Sequence, residues 1–448
     1  MASSVFRPAR EIPVICEADV CVVGGGCTGV FAAVRAARLG ARVVLVERGG
    51  AFGGVATGGL VNIWHSLLST DHREQVIAGL TDEVQKTLLR DGTAERLDTD
   101  AAGIRFNPSR LAVAFDRLLR EAGVKLMLHT LYTGISRDGD RIDAVFVENK
   151  DGCGAIRAGF FIDASGDGDV ARDLHLPSYR HPAMQPPSSC FLLQNVPGKP
   201  FSIGELIREH GAEFGLDDDW GWSGPIPGLP SVSFRADNHI FGVDCSKAEE
   251  LTLAELEGRR KAAAFSDLLK KYADPGYELA ALCQCIGIRD TVHYETEHRI
   301  TERELLTGVR FPHTVLKGTY RIDVHHQQDN GITFKYLDGR TETVYGKDTR
   351  VVLGNWREEE GITGTPATFY SAPWEMLVQG LCPNFIAAGR MLHGEESAFG
   401  ALRVMVNLNQ LGEAAGVGGV LALSENVSIR KLDGERVCAA LRRGGSAV

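Results

Sequence analysis

The chain has 448 residues, 44% of them hydrophobic and 24% charged, enough to bury a core in two or three domains. Its 58 acidic and 48 basic side chains give a net charge of −10, which counts against nucleic acid as a partner, because phosphate binding needs a basic surface. Glycine is the outlier at 52 residues, clustered around 24–29, 49–59 and 412–419, where the backbone must pass close to something.

The N-terminus carries no apolar stretch of signal-peptide length, so a cytoplasmic protein is expected. The apolar segment 20–46 is interrupted by Arg35, Arg38 and Arg42, which excludes a membrane span there. The 10 cysteines are scattered and form no C-x-x-C, so neither a disulfide scaffold nor a metal site is expected.

Residues 18–24 form a short apolar run that reads as a buried parallel strand. Gly24-Gly25-Gly26-Cys27-Thr28-Gly29 then matches G-x-G-x-x-G and opens an Ala-rich helix ended by Gly40. A second strand, 41–46, is followed by Glu47. Gly24 permits the tight turn, Gly26 lets the backbone approach a pyrophosphate, and Gly29 allows close helix–strand packing. The helix N-terminus faces the phosphates and Glu47 can accept ribose hydroxyls. Strand, glycine loop, helix and acid together predict a dinucleotide site.

Arg48 leads into a second glycine-rich loop, Gly53-Gly54-Val55-Ala56-Thr57-Gly58-Gly59, which an NAD domain does not need. Here the sequence resembles the FAD-dependent oxidoreductases of the glutathione-reductase-like superfamily, whose members place this loop along the flavin. Asn107-Pro108 predicts an N-cap and first helical turn for 111–122, followed by strands at 124–128 and 142–147. Ile162-Asp163-Ala164-Ser165-Gly166-Asp167-Gly168-Asp169 resembles a further family block, which implies that Ala164, Ser165, Gly166 and Asp167 lie near the cofactor. Asn384 to Gly389-Arg390, Gly400 to Arg403-Val404-Met405 and Leu411 to Gly416 resemble the family's C-terminal blocks, with Glu413 where Gln is common. Residues 402–423 are helix-compatible, and the resemblance aims that helix N-terminus at the flavin, where its dipole would stabilise negative charge on reduction.

The resemblance implies an α/β fold with a discontinuous Rossmann-like FAD-binding domain (12–70, 105–178, 378–430), a parallel sheet plus β-meander. An inserted α+β substrate domain covers 179–377, and 431–448 form a tail with a frayed end. The stretches 177–187 and 224–230 read as loops from their prolines and glycines.

The implied activity is oxidation of a C–OH or C–N bond of a small organic substrate by hydride transfer to flavin N5, with reoxidation by O2 or another acceptor. The alternatives are an FAD monooxygenase or C=C reductase using NAD(P)H, and a non-redox flavin-binding protein. His65, after the flavin-side loop, and His393, after Gly389-Arg390, are candidate acid–base groups. Arg289, in a block resembling a substrate-facing family motif, is a candidate substrate contact, with an interdomain salt bridge as the other reading; His293 and Tyr294 stand beside it. Tyr320-Arg321-Ile322-Asp323-Val324-His325-His326 resembles a second-domain strand, on which only one of the adjacent histidines can face the site. Trp64, Trp374 and Tyr370 are either pocket-lining or core. No membrane partner is expected, and homo-oligomerisation is left open.

Overall fold

The computed structural model describes residues 4–6, 8–98, 102–194, 201–217, 221–346 and 349–448. Its central sheet starts with β1 (Val14–Val23), the helix α1 (Cys27–Arg38) and β2 (Val43–Val46). The segment Val20–Val23 is 0–3% exposed, so the run of valines lies buried on both faces, as a central parallel strand requires. β3 (Lys125–Met127), β4 (Leu131–Asp138), β5 (Arg141–Asn149), β6 (Gly152–Asp163) and β7 (Phe385–Ala387) complete it. The order is β3-β2-β1-β6-β5-β4, with β7 also on β6. β3, β2, β1, β6 and β7 run parallel, while β4, β5 and β6 form an antiparallel meander. The 12-residue β6 joins the two systems: residues 152–157 pair antiparallel with β5, and residues 161–163 pair parallel with β7.

Asn107 caps the helix Pro108–Glu121 as the sequence predicts, its Oδ1 accepting from the Ser109 and Arg110 amides. The long helix α2 (Met405–Glu425) is buried throughout 405–419 and lies against α1. Small residues make that approach possible. A Cβ on Gly412 would strike the Thr28 carbonyl oxygen, and one on Gly416 would meet the Ala32 carbonyl oxygen at 2.5 Å. Overpacking of this kind costs about 1–3 kcal/mol for each added methyl group.

The second region contains two four-stranded antiparallel sheets. In one, Trp222–Ile226, Leu229–His239, Ser188–Gln194 and Glu278–Leu282 pair in that order, and the helix Ala248–Tyr272 packs on it. The other comprises Ile322–His325, Gly331–Lys335, Arg340–Tyr345 and Arg350–Asn355. A further antiparallel pair, Thr314–Gly318 with Tyr370–Pro373, connects this region to α2: the first strand lies against that helix, and both belong to the same hydrophobic core.

Three expectations change, and one reading left open is settled. Residues 224–230 are a β-hairpin rather than a loop: Gly228 turns with φ +80°, and Pro225 sits on the edge strand, where no ladder donor is lost. The helix expected from 402 begins at Met405, because Val404 is extended and breaks it from the helix Glu396–Leu402. The C-terminal end is docked, not frayed. Gly445 O accepts from Gly79 N at 3.0 Å, Gly444 O from Arg35 at 3.0 Å, and Ser446 Oγ donates to Glu413 at 3.2 Å. Finally, Trp64, Trp374 and Tyr370 are core residues, 0–2% exposed, with Trp64 packed among Phe31, Phe106 and Phe115.

Candidate active site

Five segments distant in sequence converge at the start of α1. Gly24 turns at φ +101°, and any Cβ there would strike the Ala164 backbone. A Cβ on Gly29 would collide with the Gly24 carbonyl, so both positions require glycine. Glu47 holds the loops together, accepting from Gly25 N at 2.7 Å and Gly49 N at 2.6 Å. Gly53 N donates to Gly25 O at 2.8 Å, and the left-handed Gly53 and Gly54 (φ +108° and +55°) bring the second glycine loop against Gly26. Thr57 Oγ1 closes that loop on Phe52 O at 2.8 Å. Val55 and Ala56 lie in its 3₁₀ turn, while Arg48 is exposed.

Cys27 Sγ sits 3.5 Å from Gly53 O and 4.0 Å from Met405 Sδ, tying the loops to the start of α2. Burial pushes its thiol up to about 12, so it stays neutral despite its place at a helix N-terminus. Gly389 (φ +133°) approaches Thr28, and Arg390 pairs with Asp167 while donating to Thr291 Oγ1 at 2.5 Å. Asp163 anchors the intervening turn, taking hydrogen bonds from Ser165, Val170 and Ala171. Its complete burial outweighs these donors and raises the carboxyl to about 6.

The convergence fits an anionic dinucleotide. A Cβ on Gly26 would meet no atom within 4 Å, so the backbone there borders open space. Neither α1 nor α2 has a side-chain cap or an acid in its first turn, leaving both N-terminal dipoles unopposed.

The three catalytic candidates have different surroundings. His65 is half-buried at the end of the strand Ile63–His65, its ring 4.0 Å from that of Tyr320. His393 is occupied elsewhere: its Nδ1 accepts from Thr296 N at 3.1 Å, and burial lowers its pKa. Arg289 is spent on an ion pair with Asp237 and a 2.9 Å bond to Pro186 O, both inside 179–377, so its salt bridge is internal to that region rather than interdomain. Of the neighbours named with it, Tyr294 donates to Gly168 O at 3.0 Å, holding the turn after Asp167.

Beside His65 lies a polar cluster that sequence reasoning assembled only in part. Tyr320 donates to Asp323 Oδ2 at 2.6 Å, Asp323 Oδ1 lies 3.1 Å from His325 Nε2, and His325 Nδ1 lies 2.7 Å from His239 Nε2. Burial would raise the Asp323 carboxyl, but His325, Arg403 and Arg321 around it hold it well below the usual range. Arg403 donates to Asp323 O at 3.1 Å and to Gln185 Oε1 at 3.0 Å. Asp323 and His325 share a strand face by their two-residue spacing. His326 points away to Asp329 and Thr333, so only one of the adjacent histidines faces inward. Gly400 is glycine because the backbone of Asp323 lies against it.

A second buried cluster places Asp290 between His181 Nδ1 at 3.0 Å and His293 Nε2 at 2.8 Å. The other ring nitrogens donate to Gly394 O at 3.2 Å and Leu392 O at 2.9 Å. Both this group and Asp237–His239–His325 have metal-like spacing, with donor atoms within 4.8 Å of one another. In the first, all four ring nitrogens are already engaged, which is the pattern of a structural network.

No helix among the described residues is long and apolar enough to cross a membrane. No curated protein matches the sequence. Among solved structures, a geranylgeranyl bacteriochlorophyll reductase-like protein of Thermoplasma acidophilum is 11% identical, covering 96% of this chain and 83% of its own (TM-score 0.45). A myxobacterial chondrochloren halogenase, an FAD-dependent halogenase, is 14% identical over 96% of this chain and 79% of its own (TM-score 0.46). With an aromatic hydroxylase of angucycline biosynthesis, identity is 15%, and the match spans 63% of this chain and 54% of the hydroxylase (TM-score 0.39). The family described as FAD dependent oxidoreductase matches residues 19–441, nearly the whole chain. This chain is a member of that family, an FAD-dependent oxidoreductase with a Rossmann-type fold.

Proposed function

We propose that this oxidoreductase removes two electrons from a C–OH or C–N bond of a small organic molecule held beside His65 and Tyr320. The observation that carries the reading is the half-buried His65–Tyr320 ring contact, beside a carboxylate kept ionised by its neighbours. FAD, when bound, supplies the electron acceptance that no side chain here provides.

The first-turn amides of α1 and the Gly26 backbone would hold its pyrophosphate, with Glu47 toward the ribose. Residues 53–57, 164–167, 389–390 and 403–405 would surround the rest. His65 takes the proton from the substrate O–H or N–H, since imidazole titrates near neutrality. Tyr320 fixes the ring of His65 from one side, and its hydroxyl is oriented by Asp323. Arg403 and Arg321 supply positive charge around Asp323.

The test is anaerobic mixing of the purified flavoprotein with panels of alcohols, hydroxy acids and amines. The reading expects bleaching by a member of these classes, lost or slowed in His65→Ala. Flavin reduced only by NAD(P)H, at a rate stimulated by a second organic compound, would replace it with the monooxygenase reading.

A further inference from the structure

Arg289, Arg390 and Arg403 each face a carboxylate, namely Asp237, Asp167 and Asp323, the last at 3.7 Å. Arg321 faces none. Among the described residues its guanidinium makes no hydrogen bond and no ion pair, and its Nε is buried with nothing to donate to. Asp323 and Glu342 act on it only through space. Asp323 is already claimed, by the Tyr320 hydroxyl at 2.6 Å and by Arg403.

The unpaired guanidinium is nonetheless held in place. Its Cζ lies 4.3 Å from the ring centre of Phe334, 5.3 Å from that of Tyr320 and 5.8 Å from that of Tyr336. Asp323 pairs with Phe334 across the sheet, and two-residue spacing puts Arg321 on the same face. Aromatic rings satisfy the flat faces of a guanidinium and leave its edge, where the N–H donors lie, unmatched. A buried donor without an acceptor costs about 1–3 kcal/mol, and no group of the chain meets this one. Arg321 is half-buried rather than sealed, so a ligand can reach it. The Tyr320 ring that it packs on also carries the His65 ring, at 4.0 Å. One tyrosine therefore joins a fixed planar cation to the group assigned to the reacting O–H or N–H.

We infer that Arg321 binds a carboxylate of the substrate, which makes that substrate a small hydroxy acid or amino acid rather than a neutral alcohol or amine. This assignment rests on the reading of the His65–Tyr320 cleft given above. A carboxylate is the planar acceptor that a guanidinium edge matches through two parallel N–H···O bonds. The three rings keep the fork from swinging, so little side-chain freedom is lost on binding. With the acid seated there, its hydroxyl or amine, a few bonds away, is directed to His65. The charges then balance: Asp237 meets Arg289, Asp323 meets Arg403, and the incoming anion meets Arg321.

The experiment titrates the oxidised holoprotein with unreactive acids (acetate, propionate, butyrate and benzoate) and with the matching primary amides, reading the shift of the flavin absorption bands. We expect an acid of the set to perturb the spectrum saturably, and its amide to bind about 10²-fold more weakly, the scale of charge-assisted hydrogen bonds. Arg321→Met should weaken the acid by a similar factor. Arg321→Lys, which keeps the charge but not the fork, should recover only part of that loss. An acid and its amide binding alike, an acid binding unchanged in Arg321→Met, or no acid of the set perturbing the flavin overturns the inference. Inorganic phosphate displacing the acid with equal strength also overturns it, because the site would then not select a planar carboxylate. The comparison of acid with amide uses wild type alone, so a misfolded variant does not shield the assignment. Nothing is oxidised in these titrations, which separates them from the bleaching test. Acids that bind without bleaching the flavin sink the oxidation reading and leave Arg321 an acid site; bleaching by neutral alcohols, with acids unbound, sinks the assignment of Arg321 alone.

Discussion

The glycine-lined region at the start of α1 and the Tyr320–His239 cluster lie close together yet are built by opposite means. The first is made of backbone: Gly24, Gly26 and Gly29 act by lacking a side chain, and their partners are carbonyls and amides. The second is made of side chains from four separated segments around residues 185, 239, 289 and 320–325, joined by ionisable groups sealed from water. A backbone site tolerates change wherever the added atoms have room. A buried ionic site tolerates little, because removing one partner leaves the other without compensation.

The largest effect expected from this contrast lies in the neighbouring ionic network. Asp290→Asn leaves two histidines without their carboxylate and should cost about 3–5 kcal/mol in denaturant unfolding. The pH dependence has a definite sign. Burial alone would raise the Asp290 carboxyl, but hydrogen bonds from His181 and His293 hold it far below the usual value. Its stabilisation is therefore present above the unfolded carboxyl pKa of about 4 and lost as pH falls below it. The variant should lose that acid-side slope, and a wild-type melting curve flat down to strong acid would contradict the assignment.

Next in size is Gly29→Ala, whose Cβ meets an immovable carbonyl. We expect about 3 kcal/mol of destabilisation together with loss of bound flavin, read by calorimetry and by visible absorbance. Tyr320→Phe takes a hydrogen bond from the buried Asp323 carboxylate and should cost about 1–3 kcal/mol of stability, while slowing substrate bleaching by about 10²-fold. A fall in stability with no change in rate would make Tyr320 a packing residue instead.

Glu413→Gln removes the charge from a buried carboxylate. Here Glu413 is 1% exposed, paired with Arg35 and bonded to Leu80 N at 3.0 Å. Losing one charge-assisted bond should cost about 1.5–3 kcal/mol and loosen the docked C-terminus, detectable as faster carboxypeptidase trimming. The smallest effect is at Cys27. With its thiol neutral and buried, native protein should resist alkylation there, whereas Cys285 is exposed and available.

The same contrast explains what the sequence disclosed. Strand, turn, helix and acid in the first unit are local, and Gly24 to Glu47 predicted the loop geometry that the fold displays. The Asn107 cap was equally legible, since its acceptor reaches only two and three residues ahead. Residues 224–230 misled because proline and glycine also serve an edge hairpin, a tertiary fact. The docked tail was hidden because its partners, Arg35, Gly79 and Glu413, are remote in the chain. His239 and Gln185 carried no motif at all. Asp323 and His325 did carry a signal, a two-residue alternation on a strand beginning near Tyr320, but only the tertiary pairing of His325 with His239 made it a cluster.

The claim that matters most is that the open space over Gly26 is where FAD lies. It is tested by comparing wild type with Gly26→Val in visible absorbance and FAD titration. Gly26 has φ −64° and no neighbour within 4 Å of an added Cβ, so a side chain there starts into open space. The account predicts a yellow wild type, and a Gly26→Val protein that folds like the apoprotein yet stays colourless and takes up no FAD. A wild type that fails to bind FAD, or a valine variant that binds it equally well, would contradict it.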